Sequence, residues 1–348
     1  MSKTSPLDLA IGRYKLYLTQ GAAKESLSIL HPLASLEWSD HGLPTELCVP
    51  IDICADRVQA VYVPDNRNGK LYVANGSSGL CFSTVTSNLI KWDRHDLPLK
   101  IGSYVLAEFC LKLVLVGGFI ENDTDTDKVW SLNSKVNKWE EMPPMPTKRS
   151  SAVAVGHGTY LVVAGGRKAA EHLMVVEVYD DHSKQWKTVQ ELPKQFSEGL
   201  TSALHDGIWY LMAKSKSPAK YREVYKTSIE DLISSSDETV ASYLWESLDS
   251  RTSHPPSGSL SPVSFGGHLL CIGKKYSPDL QLYLYCKLKD AWISILENIP
   301  FVPCLSEVVC LAALSSRAEL LLIYSDRTVK KLMLRGTYII YGYPVLSC

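Results

Sequence analysis

Nowhere in this chain is there an apolar run of the eighteen or so residues that a membrane-crossing helix requires. Charge of one sign is also missing: 36 Lys and Arg stand against 37 Asp and Glu, a net charge of −1. The first absence argues against a helical membrane anchor. The second removes the chain-wide field that would draw nucleic acid or anionic lipid, so electrostatic recognition has to be local. Met1-Ser-Lys-Thr-Ser-Pro-Leu-Asp8 carries no apolar core of signal-peptide length. The nine cysteines form no CxxC pair and keep no regular spacing, which suits a reducing compartment; a cytoplasmic location is expected. Cys110, Cys271 and Cys310 lie inside apolar runs and read as small buried hydrophobes.

Catalytic signatures are equally scarce. The nine His include no HxH or HExxH, and there is no GxSxG elbow, GxGxxG or Walker loop. Asp123-Thr-Asp125-Thr-Asp127 alternates carboxylates as a calcium loop does, but no Gly or Glu follows at EF-hand spacing. Ser77 and Ser78, between Gly76 and Gly79, read as turn residues. Aromatic residues do not interleave with the basic loops as a nucleic-acid stacking platform would demand. The expectation is a non-enzymatic chain with no catalytic residue, metal or cofactor.

What the chain does have is a pattern, most complete from Arg149 to Pro193. Short β-branched runs, Ala152-Val-Ala-Val155, Tyr160-Leu-Val-Val163 and Val175-Val-Glu-Val178, are separated by His157-Gly-Thr159, Gly165-Gly166 and Asp180-Asp-His-Ser183, and Trp186 and Leu192-Pro193 follow. Runs of this length with this punctuation spell four antiparallel strands joined by tight turns. A lone four-stranded sheet keeps two open edges and cannot bury both faces, so it needs neighbours of its own kind.

Tryptophan supplies the period. Trp38, Trp92, Trp139, Trp186, Trp245 and Trp292 are 54, 47, 47, 59 and 47 residues apart. Most precede an apolar residue and Pro: Leu43-Pro44, Leu97-Pro98, Met142-Pro143, Leu192-Pro193 and Ile299-Pro300. The pairs Gly117-Gly118 and Gly165-Gly166 close the second run of their units, and Tyr179 and Tyr285 are each separated from a following Trp by six intervening residues. Elsewhere the glycine pair is worn to Asn75-Gly76, Met212-Ala213 and Ile272-Gly273. Glycine pair, Tyr and Trp in fixed order at a period near 47 match arrays whose units are propeller blades. In these residues the chain resembles kelch-repeat β-propellers.

That resemblance implies an all-β fold of four-stranded antiparallel blades, with repeat units over 45–98, 99–146, 147–193, 194–250 and 251–300 and a closing blade from 301–345 together with 34–44. Three strand candidates after Pro300 have no Trp behind them, and Leu36-Glu-Trp38 supplies the fourth, so the ring closes by pairing the two chain ends. Six blades result, with seven as the alternative; residues 1–33 form an N-terminal extension whose structure the sequence does not give. The repeat Trp residues read as packing between blades.

In kelch-like propellers the inter-blade loops and the loops between second and third strands share one face, where binding by this family is usually found. Carried over by position, the inter-blade loops bring Lys148, Arg149 and Arg251 to that face, and the second-to-third loops bring Arg167, Lys168, Lys214, Lys216, Lys220, Arg222, Lys274 and Lys275. Glu121, Asp123, Asp125 and Asp127 lie on a neighbouring loop. A basic crescent of this kind would take an acidic segment of a partner protein. The resemblance thus implies a monomeric protein-binding platform, an adaptor or scaffold, with no nucleic acid or membrane among its partners. Many relatives work in ubiquitin ligation and others bind actin; no BTB-like region precedes Trp38. The alternative is a propeller enzyme with a redox or hydrolytic site at the channel mouth, of galactose-oxidase or sialidase architecture, although the sialidase pattern SxDxGxxW is absent.

Overall fold

In a computed structural model, the structure describes residues 10–11, 14–15, 28–30, 41–42, 58–65, 69–75, 80–85, 90–120, 124–134, 136–196, 200–214, 222–235, 244–248, 262–265, 268–273, 281–286, 291–296, 308–314, 319–324, 328–333 and 339–341. Among the described residues there are six four-stranded antiparallel sheets. The first is Val58–Val63, Lys70–Asn75, Leu80–Val85 and Ile90–His95. The second is Val105–Phe109, Lys112–Val116, Val129–Asn133 and Lys138–Met142. The third is Val153–His157, Tyr160–Ala164, Val175–Asp180 and Gln185–Glu191. The fourth is Thr201–His205, Ile208–Lys214, Arg222–Ser228 and Glu246–Ser247, and the fifth Val263–Phe265, His268–Gly273, Gln281–Cys286 and Ala291–Leu296.

The sixth sheet draws on both ends of the chain. Val308–Leu314, Glu319–Tyr324 and Thr328–Met333 are completed by His41–Gly42, with Thr328 opposite Gly42 and Val329 opposite His41. The expected completing stretch, Leu36 to Trp38, lies outside the described residues. A second tie between the ends pairs Ser28–Leu30 with Ile339–Tyr341. The first strand of each sheet neighbours the first strand of the next, and that of the sixth neighbours that of the first. The six first strands therefore ring a common axis, and each sheet runs outward from it as a blade.

Stacking explains why the strands read as near-continuous apolar runs instead of alternating ones: both faces of a blade are covered. In the second blade Leu113 and Leu115 pack with Val63, Tyr72 and Ala74 of the first, whereas Val114 and Val116 pack with Leu161 and Val163 of the third. Val162 and Ala164 on the other face of the third join Trp209 and Leu211 of the fourth. Burying a side chain of this size stabilises by about 1.5–3 kcal/mol, and the same kind of interface joins Tyr210 and Met212 of the fourth blade to Leu269 and Cys271 of the fifth.

The Tyr–Trp spacing has a geometric cause. Tyr179 stands directly opposite Trp186, and Tyr285 opposite Trp292, across the outer hairpin of their blades. Their ring centroids are 5.3 Å and 5.4 Å apart, a favourable cross-strand aromatic contact. The tryptophans also reach backwards along the ring. Trp139 Nε1 donates to the Asp96 carbonyl (2.8 Å), Trp186 Nε1 to that of Pro143 (2.8 Å) and Trp245 Nε1 to that of Glu191 (3.0 Å). Each bond joins a blade to the end of the preceding one. Trp92 lies on the fourth strand of the first blade, opposite Ser83.

The glycine pair ends the second strand. Gly165 and Gly166 have φ of +62° and +87°, and a Cβ on Gly166 would sit 2.4 Å from the Ser150 carbonyl oxygen. In the fourth blade, with Ala213 in that place, pairing of the second and third strands runs on to Lys214 opposite Arg222. The same blade carries a six-residue helix, Ile229–Ser234, in the Ser- and acid-rich insertion, capped by Ser228 and burying Ile229, Leu232 and Ile233.

One cysteine assignment is corrected. Cys110 is exposed, because Cys110 and Leu111 form the two-residue turn of a hairpin, with φ of +50° and +60°, instead of continuing the apolar strand. Its thiol is pushed up by burial of the sulfur side and by Asp181 and Glu108; it is a poor nucleophile at neutral pH. Cys271 is buried as expected, while the side chain of Cys310 lies outside the described ones.

Candidate functional site

The loop leading into a blade is zipped to that blade's own second-to-third connection. In the second blade Gly102 N donates to the Phe119 carbonyl (2.9 Å) and Phe119 N to that of Gly102 (2.8 Å). In the third, Ser150 N donates to the Arg167 carbonyl (2.9 Å) and Arg167 N to that of Ser150 (2.8 Å). Neighbouring blades are tied at the same level: Gly118 N donates to the Arg149 carbonyl (2.8 Å), and Arg149 N to that of Thr126 (3.1 Å). These bonds hold the two kinds of loop together on one rim at this junction.

Two small hairpins rise from it, Phe119–Ile120 with Thr124–Asp125 and Arg167–Lys168 with Glu171–His172. Lys148, Arg167 and Lys168 are all exposed. Arg167 is steadied by its Nε donating to Ser150 Oγ (3.4 Å). The hairpins touch: Ala169 N donates to Asp125 Oδ2 at 2.5 Å. The rim thus sets basic side chains on a hairpin that is held by the Asp125 carboxylate of its neighbour.

Arg149 requires a correction. It has no exposure to solvent, and its Nη1 donates to the carbonyls of Gly165 and Val175, each at 3.0 Å. Its Nη2 lies 2.7 Å from Glu177 Oε2, also fully buried. Burial pushes this guanidinium below its ordinary value and Glu177 pushes it back up, so it remains charged at neutral pH. Sequence position placed Arg149 among the binding residues because it lies in an inter-blade loop; the structure turns its side chain inward, where it fastens that loop to the third blade. Glu177, at the centre of an otherwise apolar strand, was its unread partner.

Of the other expected rim residues, Lys214 and Arg222 close the central hairpin of the fourth blade as register partners. Lys216, Lys220, Arg251, Lys274 and Lys275 lie outside the described residues, as does Trp38. Asp125 and Asp127 lie in the junction, the latter accepting from Met145 N (2.8 Å) through its carbonyl. Among the described residues no group of three or more His, Cys, Asp or Glu side chains is placed to hold a metal ion.

One polar constellation sits at the inner strands, which sequence reading passed over because Ser264 is 59 residues from His205. His205, buried at the end of the first strand of the fourth blade, has Nδ1 2.9 Å from Ser264 Oγ of the fifth and Nε2 3.5 Å from Asp206 Oδ2. Ser264 is exposed.

Four-stranded antiparallel blades set around an axis, closed by strands from both termini, define the chain as a β-propeller. Residues 104–146 and 148–193, the second and third blades, match the kelch motif. Kelch-like protein 41b of Danio rerio is 28% identical over 121 residues, which make up 34% of this chain and 20% of that protein. Kelch-like protein 40 of Mus musculus is 22% identical over 178 residues, 51% of this chain and 28% of that protein. The chain therefore spans less than a third of the length of these curated relatives. The solved structure of YjhT superposes with a TM-score of 0.56 at 13% identity, covering 83% of this chain and 98% of that one, a likeness of fold alone. No helix among the described residues is long and apolar enough to cross a membrane.

Proposed function

We propose that this propeller is a non-catalytic docking platform in the cytoplasm, an adaptor whose loop face binds an acidic segment of a partner protein. The observation that carries this reading is the zipped rim between the second and third blades, which holds exposed Lys148, Arg167 and Lys168 on a backbone fixed by inter-loop hydrogen bonds. Basic side chains on a rigid rim attract carboxylates, and Arg offers them a planar fork. Kinship with Kelch-like proteins supports a protein partner. By sequence position alone this reading adds Lys214, Lys216, Lys220, Arg222, Arg251, Lys274 and Lys275 as further basic candidates; Arg149 contributes only by fixing the loop. The test is binding of fluorescein-labelled octaglutamate, wild type against the triple variant K148A/R167A/K168A. A salt-sensitive affinity that the triple variant loses is the expected result; equal binding by both proteins rejects the reading.

A second reading rests on Ser264, His205 and Asp206. A serine hydroxyl at hydrogen-bond distance from an imidazole that in turn faces a carboxylate is the arrangement used in acyl transfer. A fluorophosphonate probe that labels wild type at Ser264, and neither S264A nor H205A, would establish it. Absence of labelling leaves His205 as a tie between the fourth and fifth blades.

A further inference from the structure

The contact between Asp125 and Ala169 joins residues 44 apart in sequence and on different blades. Ala169 follows Lys168 in the two-residue turn that connects Arg167–Lys168 to Glu171–His172, with Lys168 opposite Glu171. Its φ of +54° is unusual for a residue with a side chain, and its amide hydrogen is spent on a carboxylate of the neighbouring blade instead of on its own hairpin. The two residues before it, Arg167 and Lys168, are exposed. Among the described residues neither forms an ion pair.

An amide that already holds a carboxylate, next in sequence to two exposed cations, is a receptor for a carboxylate, since hydrogen bonds to ionised oxygen are the stronger kind and nearby cations add attraction. Its present occupant comes from Glu121-Asn-Asp-Thr-Asp-Thr-Asp127, a segment with the composition of an acidic peptide. We infer that the Ala169 amide, with Arg167 and Lys168, is a carboxylate-binding subsite of the docking face, and that Asp125 fills it as an internal competitor which a partner's Asp or Glu displaces. This rests on the docking reading above and names the ligand group and its regulation.

Displacement exchanges one carboxylate for another at the same amide, so the hydrogen bond is conserved and the ligand gains only what the two cations add. Removing the resident carboxylate removes the competition.

The experiment compares octaglutamate binding by wild type and Asp125→Ala in fluorescence anisotropy, with circular dichroism confirming that both are folded. The resident carboxylate is a surface contact, so its removal is expected to tighten binding about fivefold. In 15N-labelled D125A protein the Ala169 amide resonance should move away from its wild-type position and return towards it as octaglutamate is added. If wild type binds in a salt-sensitive way but D125A binds no tighter, or the Ala169 resonance ignores the peptide, Asp125 is a structural latch and the inference is wrong while the docking reading stands. If neither protein binds octaglutamate, the docking reading fails and takes the inference with it.

Discussion

Arg149 Nη2 lies 2.7 Å from Glu177 Oε2, and neither side chain has any exposure to solvent. The pair joins the loop entering the third blade to that blade's third strand, and Nη1 binds two carbonyls across the glycine turn. Removing one member leaves the other charged and buried, which costs about 3–5 kcal/mol. Glu177→Ala should therefore lower the urea midpoint sharply, and Arg149→Ala likewise. The double change R149M/E177L should recover most of the loss, because two apolar residues of similar volume leave no orphaned charge. A double variant as unstable as either single one would show that the carbonyl bonds, and not the charges, carry the contribution.

Two glycines on the third blade separate backbone strain from collision. Both have positive φ, +57° at Gly158 and +87° at Gly166, but a Cβ meets nothing within 4 Å at Gly158 and lies 2.4 Å from the Ser150 carbonyl oxygen at Gly166. Gly158→Ala should cost about 1 kcal/mol from conformation alone. Gly166→Ala has to displace the zipped rim as well and should cost about 3 kcal/mol or more. Denaturant titration of the two variants checks the ordering; equal losses would mean that the rim gives way easily.

The architecture was legible because propeller blades are repetitive: one strand grammar, read at the third blade, recurs with a Trp that in the third and fifth blades meets a Tyr across the hairpin. Where the signal was worn, as at Met212-Ala213, the physical reason is visible in a strand that runs on to Lys214. The site was less legible. Lys148, Arg167 and Lys168 are exposed where the pattern put them, but Arg149 is adjacent in sequence to Lys148 and opposite to it in environment. Local sequence distinguishes such neighbours poorly, since the buried carboxylate that claims Arg149 is 28 residues away, at Glu177. Nor does it show that Cys110 and Leu111 leave the strand, for nothing but their positive φ separates them from the apolar run.

The tryptophan bonds between blades should behave as independent units. Trp139 Nε1 donates to Asp96 and Trp186 Nε1 to Pro143, each at 2.8 Å, and the two indoles pack in different clusters. Replacement by Phe keeps a ring opposite the strand partner but removes the donor, a loss of about 1 kcal/mol each. Since the two share no partner, the double variant W139F/W186F should lose the sum to within about 0.5 kcal/mol. A markedly larger loss would show that the blades yield together.

The turn after the third strand of the third blade gives the fold a dependence on acid. Asp180 Oδ1 accepts from His182 N (2.9 Å) and Oδ2 from Ser183 N (3.3 Å), and these bonds, the one from His182 foremost, hold its carboxyl below the ordinary aspartate value of 3.8. The native state thus prefers the ionised form more than the unfolded chain does. Its contribution is fully present above pH 3.8 and is lost as the pH falls through that value to the lower native one. Asp180→Ala should accordingly lower the thermal midpoint at neutral pH, with the gap to wild type closing as the pH falls below the ordinary aspartate range. Thermal unfolding followed by circular dichroism across that range makes the comparison; a gap that stayed constant down to the most acid point would show that Asp180 acts through turn geometry and not through its charge.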